Sequence, residues 1–392
     1  MKIIVMGVGK AGNTIVENFL EKEKYNNVNF IYADTNKKLL EKFDKNSTLF
    51  LNSEIGDLKV SSNDPLISKY AVTNSIDDIK EKLINSKILI LTSGFGGLTG
   101  TYALPLIAKI AKDMGIITVA IISTPFSYEG TSKEKNAQEG LKELKEIVDT
   151  LIVVSNNKLI NNYPDIAALD AIKLTNNFSK NCIKTFLNFI SDKSIINIST
   201  NDLISLLKNK GESYIGFGNG LGRNKIIRAV NKTFESKIID KAITHSTHIA
   251  LNIVGDPTVT MKEINEIIEL FKSNLKQDNL KIFFNFDVNK DFINEIQISV
   301  IATFEKENKN DYSTIEQKSN IKMIDNKNTS IQNSQEILIN IGNTLENELS
   351  GYLTGELELN NLNIDVDDKD QEDFIISIEE SEEDDDIPFF LK

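Results

Sequence analysis

The sequence is poor in the residues that mark several classes of protein. Its 392 residues include a single cysteine, Cys182, and two histidines, His245 and His248. A lone cysteine forms no internal disulfide, and Cys182 falls on the apolar side of a predicted helix, so we expect a core thiol in a reducing compartment. No apolar stretch approaches the length of a membrane span. The N-terminus lacks the cleavage pattern of a signal peptide, and we therefore expect a soluble, cytoplasmic protein.

Positive charge is also scarce. The chain has 44 lysine and arginine residues against 57 acidic ones, which gives a formal net charge of −13. A surface of that sign repels the phosphates of nucleic acids and of anionic lipids. We therefore expect no nucleic acid partner and no direct membrane insertion.

The start of the chain follows the pattern of a dinucleotide-binding unit. An aliphatic strand runs into Gly7-Val-Gly-Lys-Ala-Gly12, an amphipathic helix follows, and a second strand ends at Asp34. A G-x-G-x-x-G turn with an acidic residue about twenty positions later is typical of NAD-binding proteins. An NAD-binding oxidoreductase is therefore one alternative, although the two distant histidines leave little for a histidine-assisted hydride transfer.

A second and richer glycine loop separates a buried strand that begins at Ile88 from a helix that ends before Gly115. The glycines and hydroxyl residues of this loop are Gly94, Gly96, Gly97, Thr99, Gly100 and Thr101. Glycines let backbone N–H groups turn toward a ligand, and a helix N-terminus carries about half a positive charge. The pattern predicts a phosphate-binding loop; the alternative is a tight turn that binds no ligand.

Strands and helices keep alternating up to Asn156, which predicts a parallel sheet with helices on both faces. Ligands of such sheets bind at the carboxyl ends of the strands. The loops predicted to converge on one site follow Met6, Ala33, Leu91, Ser123 and Val154.

A long helix is predicted over 165–191 as a connection between two domains. Its predicted inner face consists of Ile166, Leu169, Ile172, Phe178, Ile183, Phe186 and Ile190. A smaller α/β unit follows, and at about Glu305 the composition shifts to Asn, Asp, Glu, Lys and Ser, which is typical of a disordered linker. Within that linker, a helix over 334–349 is weakened by Gly342.

Several motifs point to one family. They are Thr92-Ser-Gly-Phe-Gly-Gly-Leu-Thr-Gly-Thr101, Pro125-Phe-Ser-Tyr-Glu-Gly130, Val148-Asp-Thr-Leu-Ile-Val-Val-Ser-Asn156, Val300-Ile-Ala-Thr-Phe304 and the terminal Asp386-Ile-Pro-Phe-Phe-Leu391. The first resembles the tubulin signature loop of FtsZ, the bacterial tubulin-like division GTPase family, and the last resembles the tail peptide of that family. The resemblance is collinear from Met1 to about Phe304 and resumes at the last residues.

The resemblance implies a tubulin/FtsZ-like α/β fold. An N-terminal parallel-sheet nucleotide-binding domain would be followed by a long connecting helix, a smaller α/β C-terminal domain and a disordered tail. The implied bounds are 1–164 for the GTP-binding domain, 165–192 for the connecting helix, 193–305 for the C-terminal GTPase-activating domain, 306–383 for the acidic and polar linker, and 384–392 for a docking peptide.

The resemblance also assigns roles to individual residues. The implied nucleotide-binding residues are Gly7, Gly9, Gly12, Asn13, Thr14, Gly94, Gly96, Gly97, Thr99, Gly100, Thr101, Glu129, Lys133, Asn156, Asn176 and Asn177. Asn197 and Asp202 lie in the loop that, in the family, enters the site of the next subunit and completes it for hydrolysis. The alternative for Asp202 is a carboxylate that stabilises the first turn of a helix, and the two roles are compatible.

The implied activity is that of a GTP-dependent filament protein of the division ring, the Z-ring, which hydrolyses GTP between subunits. Its ligands would be GTP, GDP and Mg²⁺, and its location the cytoplasm at the mid-cell division site. Its partners would be further copies of itself, head to tail, and membrane-adaptor division proteins. The residues implied to dock on those adaptors are Ile387, Pro388, Phe389, Phe390 and Leu391.

The sequence departs from the family pattern at several positions. Ser199 stands where an acidic residue is usual, and a serine carries no charge with which to polarise water. Leu98 and Tyr102 replace glycines, and we expect their side chains to crowd the phosphates or strain the loop. Asn176 and Asn177 occupy the segment in which an aromatic residue and an aspartate usually fix guanine. These departures favour a second alternative, a scaffold that binds nucleotide with little hydrolysis.

Overall fold

The computed structural model of the chain describes residues 2–20, 25, 27–53, 64–190, 194–277 and 279–304. The predicted linker, the predicted helix at 334–349 and the terminal docking peptide lie outside these residues. The described part contains two β-sheets with a long helix between them.

The first sheet has seven parallel strands in the order β3-β2-β1-β4-β5-β6-β7. Their bounds are β1 Ile3–Val8, β2 Val28–Asp34, β3 Thr48–Phe50, β4 Ile88–Gly94, β5 Ile117–Thr124, β6 Thr150–Ser155 and β7 Gly211–Glu212. Side chains alternate between the two faces: Met6 and Leu91 pack with Ile107 of a covering helix, whereas Val5 and Ile90 are buried on the other face. Burial on both faces explains the continuous aliphatic runs of these strands, and it confirms the predicted parallel sheet.

Eleven α-helices lie in the described part of the chain. They are α1 Gly9–Leu20, α2 Lys37–Leu40, α3 Pro65–Asn74, α4 Ile76–Leu83, α5 Leu104–Asp113, α6 Thr131–Ile147, α7 Asn156–Asn162, α8 Ala168–Ile190, α9 Thr200–Leu207, α10 Lys225–Phe234 and α11 Met261–Leu275. Helices α2, α3 and α7 were not predicted from the sequence. None of the described helices has both the length and the apolar character needed to cross a membrane.

The connecting helix α8 differs from its prediction in its buried face. Leu169 and Ile172 were predicted to face inward, but they are 50% and 48% exposed. The prediction was wrong there because the first turns of α8 lie beside a cleft, which Ile172 lines. The buried face of α8 follows Ala171, Leu174, Phe178, Cys182 and Phe186 at helical spacing. The predicted burial of Cys182 is confirmed.

The second sheet has four strands in the order β10-β9-β11-β8. Their bounds are β8 Tyr214–Leu221, β9 His248–Gly255, β10 Lys281–Val288 and β11 Glu295–Thr303. β9 and β10 are parallel, and β11 runs antiparallel to both of its neighbours. β9 begins only at His248, because His245 shortly before it has a φ of +67°, which breaks an extended chain. β8 carries glycines at alternate positions, where a Cβ would overlap the carbonyl oxygens of α10, so this helix lies directly on the strand.

Candidate active site

A cleft of about 810 Å³ lies at the carboxyl ends of β1, β2, β4, β5 and β6. Each of the five following loops contributes to its lining, for example with Gly9, Asp34, Gly97, Thr124 and Asn156. The convergence predicted from the strand pattern is therefore present in the structure. It follows from parallel strands, whose carboxyl ends share one edge of the sheet.

The first glycine turn supplies one wall of the cleft. Gly9 lines the cleft with a φ of +73°, a conformation that side chains rarely adopt. Gly7 and Gly12 do not line it: a Cβ on Gly7 would meet the backbone of Gly12, and one on Gly12 would overlap the carbonyl of Thr92. These two glycines let the turn pack closely on itself and on β4. Helix α1 then begins at Gly9, so that its N-terminus faces the cleft.

The second glycine loop supplies the opposite wall. Gly94, Gly97, Thr99 and Gly100 line the cleft. Residues Thr99–Ala103 form a single π-helical turn that leads into α5, and such turns are frequent at functional sites. The hydroxyl of Thr99 lies 2.8 Å from that of Thr35, which joins this loop to the end of β2.

Gly96 and Thr101 shape this loop from the inside. Thr101 is fully buried, and its Oγ1 accepts a hydrogen bond from the N–H of Gly96 at 2.8 Å. The resemblance implied that Thr101 binds the nucleotide, but Thr101 does not line the cleft, and its side chain contacts the loop itself.

The two side chains that replace glycines fit the loop without strain. Neither Leu98 nor Tyr102 has a positive φ. Leu98 adopts helical angles and lines the cleft. Tyr102 is only 6% exposed, and its hydroxyl lies near Asn136 and Glu139 of α6. The expected crowding by Tyr102 was therefore wrong, because its ring points toward α6.

The remaining predicted residues of the cleft lie beyond β5 and β6. Glu129 and Lys133 both line the cleft and form an ion pair at 3.0 Å. Asn156 accepts a hydrogen bond from Thr175 Oγ1 at 2.7 Å, which fixes its amide at the cleft wall. Asn176 also lines the cleft.

Of three further predicted residues, Thr14 lines the cleft, whereas Asn13 and Asn177 do not. The side chain of Asn13 is buried, and its Nδ2 donates to the carbonyl of Ala33 at 3.2 Å. Thr14 lines the cleft, and its hydroxyl donates to the carbonyl of Lys10. Asn177 lines a separate groove of about 300 Å³ between α8 and the second sheet.

The predicted catalytic loop lies toward the amino ends of the strands of the first sheet, opposite to the cleft. Ser199 caps α9, since its Oγ accepts from the N–H of Asp202 at 3.1 Å and donates to Asp202 Oδ2 at 2.6 Å. Asn197 donates to the carbonyl of Ser194 at 3.0 Å. The alternative role of Asp202, in the first turn of a helix, is thus present in the structure.

A groove of about 650 Å³ shows where α9 lies. Thr200 and Ile204 of α9 line it together with Ile88 and Ile117, which are the first residues of β4 and β5. A strand of this length spans roughly 20 Å. Asp202 and Asn197 are therefore too far from the cleft of their own chain to act there.

The comparisons with known proteins agree with this geometry. Residues 2–164 match the GTPase domain of the Tubulin/FtsZ family, and residues 211–305 match the C-terminal domain of the FtsZ family. Over 391 residues the chain is 33% identical to the cell division protein FtsZ of Mycoplasmopsis pulmonis (strain UAB CTIP), covering 100% of this chain and 96% of that protein. The chain belongs to the FtsZ family.

Solved structures support the family assignment. The chain resembles an empty FtsZ dimer of M. jannaschii with a TM-score of 0.70 and 27% identity, over 77% of this chain and 88% of that one. It also resembles a GTPγS-bound protofilament of CetZ2 from Haloferax volcanii, with a TM-score of 0.62 and 14% identity, over 79% of this chain and 95% of that one. The second likeness shows the fold alone.

As an FtsZ-family protein, the chain is a cell-division GTPase. The NAD-binding oxidoreductase was the wrong alternative. The structure shows why the start of the chain resembles one: Asp34 ends β2 as an NAD-binding acid would. Its carboxylate is only 3% exposed, however, and accepts from the N–H of Asn36 at 2.9 Å. Burial raises the pKa of this carboxyl.

The side chains that line the cleft carry both signs of charge. Lys10 and Lys133 line it together with the carboxyl groups of Asp34 and Glu129, and Lys133 is paired with Glu129. The N-terminus of α1 adds partial positive charge, which favours an anion. No group of three His, Cys, Asp or Glu side chains in the described ranges could hold a metal ion.

Several residues that line the cleft were not predicted from the sequence. They are Lys10, Ala11, Thr35, Asn36, Leu39, Phe95, Thr124 and Pro125. Their common signal is their position: most of them follow the last residue of a parallel strand within a few positions. Reading the loops after each strand as one surface would have found them.

Proposed function

We propose that the cleft binds GTP and that the loop over 195–202 completes this site in the next copy of the chain. The main support for this proposal is the position of the two sites. The cleft lies at the carboxyl ends of the strands of the first sheet, and α9, which carries Asp202, lies at their amino ends. A contact between two different faces of the same chain repeats from copy to copy and produces an open filament. The protein would thus assemble head to tail and hydrolyse GTP between subunits.

The cleft offers partners for each part of the nucleotide. Gly9, Gly97, Thr99 and Gly100 would hold the phosphates against the N-terminus of α1. Glu129 would accept from the ribose hydroxyls. Gly7, Gly12, Gly96 and Thr101 would shape the two glycine loops.

The guanine base would meet Asn156 and Asn176, both in the cleft wall. An asparagine offers one acceptor oxygen, whereas an aspartate accepts both N–H groups of guanine. We therefore expect GTP to bind more tightly than ATP, and Asn176→Asp to tighten GTP binding by about tenfold, the scale of a hydrogen bond to a charged group. Titrations of the wild type and the variant with each nucleotide measure this.

Asn177→Asp is the matched control, because Asn177 lines a different groove. It adds the same charge one residue away and should leave nucleotide affinity unchanged. Equal affinities of the wild type for ATP and GTP would contradict the proposed guanine site. An effect of Asn177→Asp as large as that of Asn176→Asp would show that Asn176 does not contact the base.

The proposed catalytic step needs the carboxylate of Asp202. At the γ-phosphate of the neighbouring subunit, this group would orient and polarise the attacking water. The hydrogen bond from Ser199 Oγ holds the carboxylate at the start of α9. Asn197 would assist from the same loop. Mg²⁺ would supply neutralisation of the phosphate charge.

Exposed apolar side chains on the two opposite faces support head-to-tail assembly. Leu221, Met261 and Ile293 are 58%, 64% and 84% exposed. We call these three residues the end patch. Leu221 is the last residue of β8 and pairs with Glu295, just after Ile293, while Met261 begins α11 after the end of β9.

The end patch and the catalytic loop share one end of the second sheet. Ile196 of that loop pairs with Phe286, near the end of β10, and the N–H of Ile198 donates to Asn285 Oδ1 at 2.9 Å. On the opposite face, Tyr128, Leu169 and Ile172 beside the cleft are 65%, 50% and 48% exposed. Apolar surface on both faces suits a second copy of the chain, which would bury each set.

Further elements of the proposal concern organisation and place in the cell. The proposed domains are 1–164 for GTP binding, 165–192 for the connecting helix and 193–305 for the C-terminal domain, followed by a linker to 383 and a docking peptide over 384–392. That peptide, with Phe389, Phe390 and Leu391, would dock in a groove of a membrane-adaptor protein. The filaments would then form the Z-ring at mid-cell.

One observation favours a second candidate function. Because residue 199 is a serine, Asp202 is the one carboxylate in the loop over 195–202. A scaffold that binds GTP and assembles with little hydrolysis would suit such a loop. Turnover measured on assembled filaments distinguishes the two candidates.

A further inference from the structure

Gly96 is held by side chains on both sides. Its N–H donates to Thr101 Oγ1 at 2.8 Å, and its carbonyl accepts from Asn136 Nδ2 at 3.3 Å. Its φ is +108°, and a Cβ there would lie 3.2 Å from Lys133 of α6. The loop therefore lies against α6 in a conformation that only glycine adopts readily.

Tyr102 contacts Asn136 through its hydroxyl, which lies 3.2 Å from Asn136 Oδ1 and 3.2 Å from Glu139 Oε2, both on α6. The phenol has one proton, so it donates to one of these two oxygens at a time. When the amide oxygen of Asn136 accepts from Tyr102, its nitrogen faces the carbonyl of Gly96. Burial, with the charge of Glu139 as the second cause, raises the pKa of Tyr102 to about 12. The phenol is therefore a neutral donor at neutral pH.

We propose that Tyr102 and Asn136 are positioning residues for nucleotide binding, which fix the peptide between Gly96 and Gly97 so that its N–H faces the nucleotide phosphates. The peptide unit is planar and trans, so its N–H points opposite to its carbonyl. Because Asn136 draws the carbonyl of Gly96 toward α6, the N–H of Gly97 is turned away from α6. Gly97 itself lines the cleft.

This inference rests on the proposed binding of GTP in the cleft. It gives a function to the tyrosine that replaces a glycine of the family pattern. A glycine at residue 102 would leave Asn136 without this partner. The side chain thus stiffens a loop that a fifth glycine would leave more mobile.

The test measures release of a fluorescent GDP analogue from the full-length protein, at concentrations below assembly. Tyr102→Phe retains the ring and removes only the hydroxyl. We expect release to become about fivefold faster, the scale of one hydrogen bond between neutral groups. Asn136→Ala should accelerate release at least as much. The double variant should be no faster than Asn136→Ala alone, because the tyrosine acts through the asparagine.

Glu139→Gln is the matched control, since Glu139 is the other neighbour of the hydroxyl. Among the hydrogen bonds of the described residues, its one partner in the loop is Tyr102. It should leave GDP release unchanged. Unchanged release in Tyr102→Phe, independent effects of the two substitutions, or an acceleration by Glu139→Gln equal to that of Tyr102→Phe would each overturn the inference. If the wild type binds GTP normally, those results leave the proposed function standing. A wild type that binds no guanine nucleotide would overturn both.

Discussion

Asp202→Ala is expected to lower GTP turnover by at least about a hundredfold, the scale of losing one positioned catalytic group. The substitution removes the carboxylate that Ser199 holds at the start of α9. GTP binding should be unchanged, because this loop lies at the edge of the sheet opposite to the cleft. Turnover on assembled protein and GTP affinity on dilute protein are the two measurements.

Asp202→Asn separates catalysis from helix stability. Asparagine has nearly the shape of aspartate and removes the charge, while Ser199 still caps the N–H of residue 202. If the carboxylate acts on the attacking water, this variant should lose as much turnover as Asp202→Ala. Restored turnover in Asp202→Asn would indicate a structural role, and normal turnover in both variants would remove Asp202 from the site.

Ile293→Lys is expected to prevent assembly at concentrations that suffice for the wild type. Ile293 is 84% exposed within the end patch, and assembly would bury it against the cleft face of another copy. Burying an isoleucine contributes about 1.5–3 kcal/mol, so its loss alone should raise the assembly threshold about tenfold or more. A buried lysine adds a desolvation cost. Sedimentation of filaments with GTP measures the threshold.

Gln138→Lys is the control for the added charge. Gln138 lies on α6 in a side groove; it does not line the cleft and is not part of the end patch, so its replacement should leave the threshold unchanged. Both variants should bind GTP as monomers. Filaments of Ile293→Lys that form at the wild-type threshold would exclude the end patch from the subunit interface.

The architecture of the first sheet was readable from the sequence because its signals are local. Short aliphatic runs such as Ile88–Leu91, followed by glycines, are typical of buried strands of a parallel sheet, and the carboxyl ends of such strands share an edge. The convergence of five loops on one cleft follows from that rule alone. The start of helix α11 also carries a local signal, because Thr260 and Glu263 form a capping box there.

Other features depended on tertiary contacts that no local pattern encodes. Tyr102 was expected to crowd the phosphates because the local sequence does not show that α6 packs beside this loop. In the structure, the hydroxyl of Tyr102 lies near Asn136 of α6. Ile172 looks like a core residue at helical spacing, but its turn of α8 lies at the cleft. Helix α3 was missed for a different reason: Asp64 as a cap followed by Pro65 is a local start signal that the prediction did not use.

The proposed site shared between two subunits is tested most directly by the dependence of GTP turnover on protein concentration. If the site is shared between two copies, a single copy has a cleft but lacks the Asp202 carboxylate that acts on it. GTP turnover per subunit, measured across a range of protein concentrations, should therefore be near zero below a threshold and rise steeply above it. The threshold should coincide with the appearance of filaments. Turnover per subunit that is the same at all concentrations would contradict the shared site.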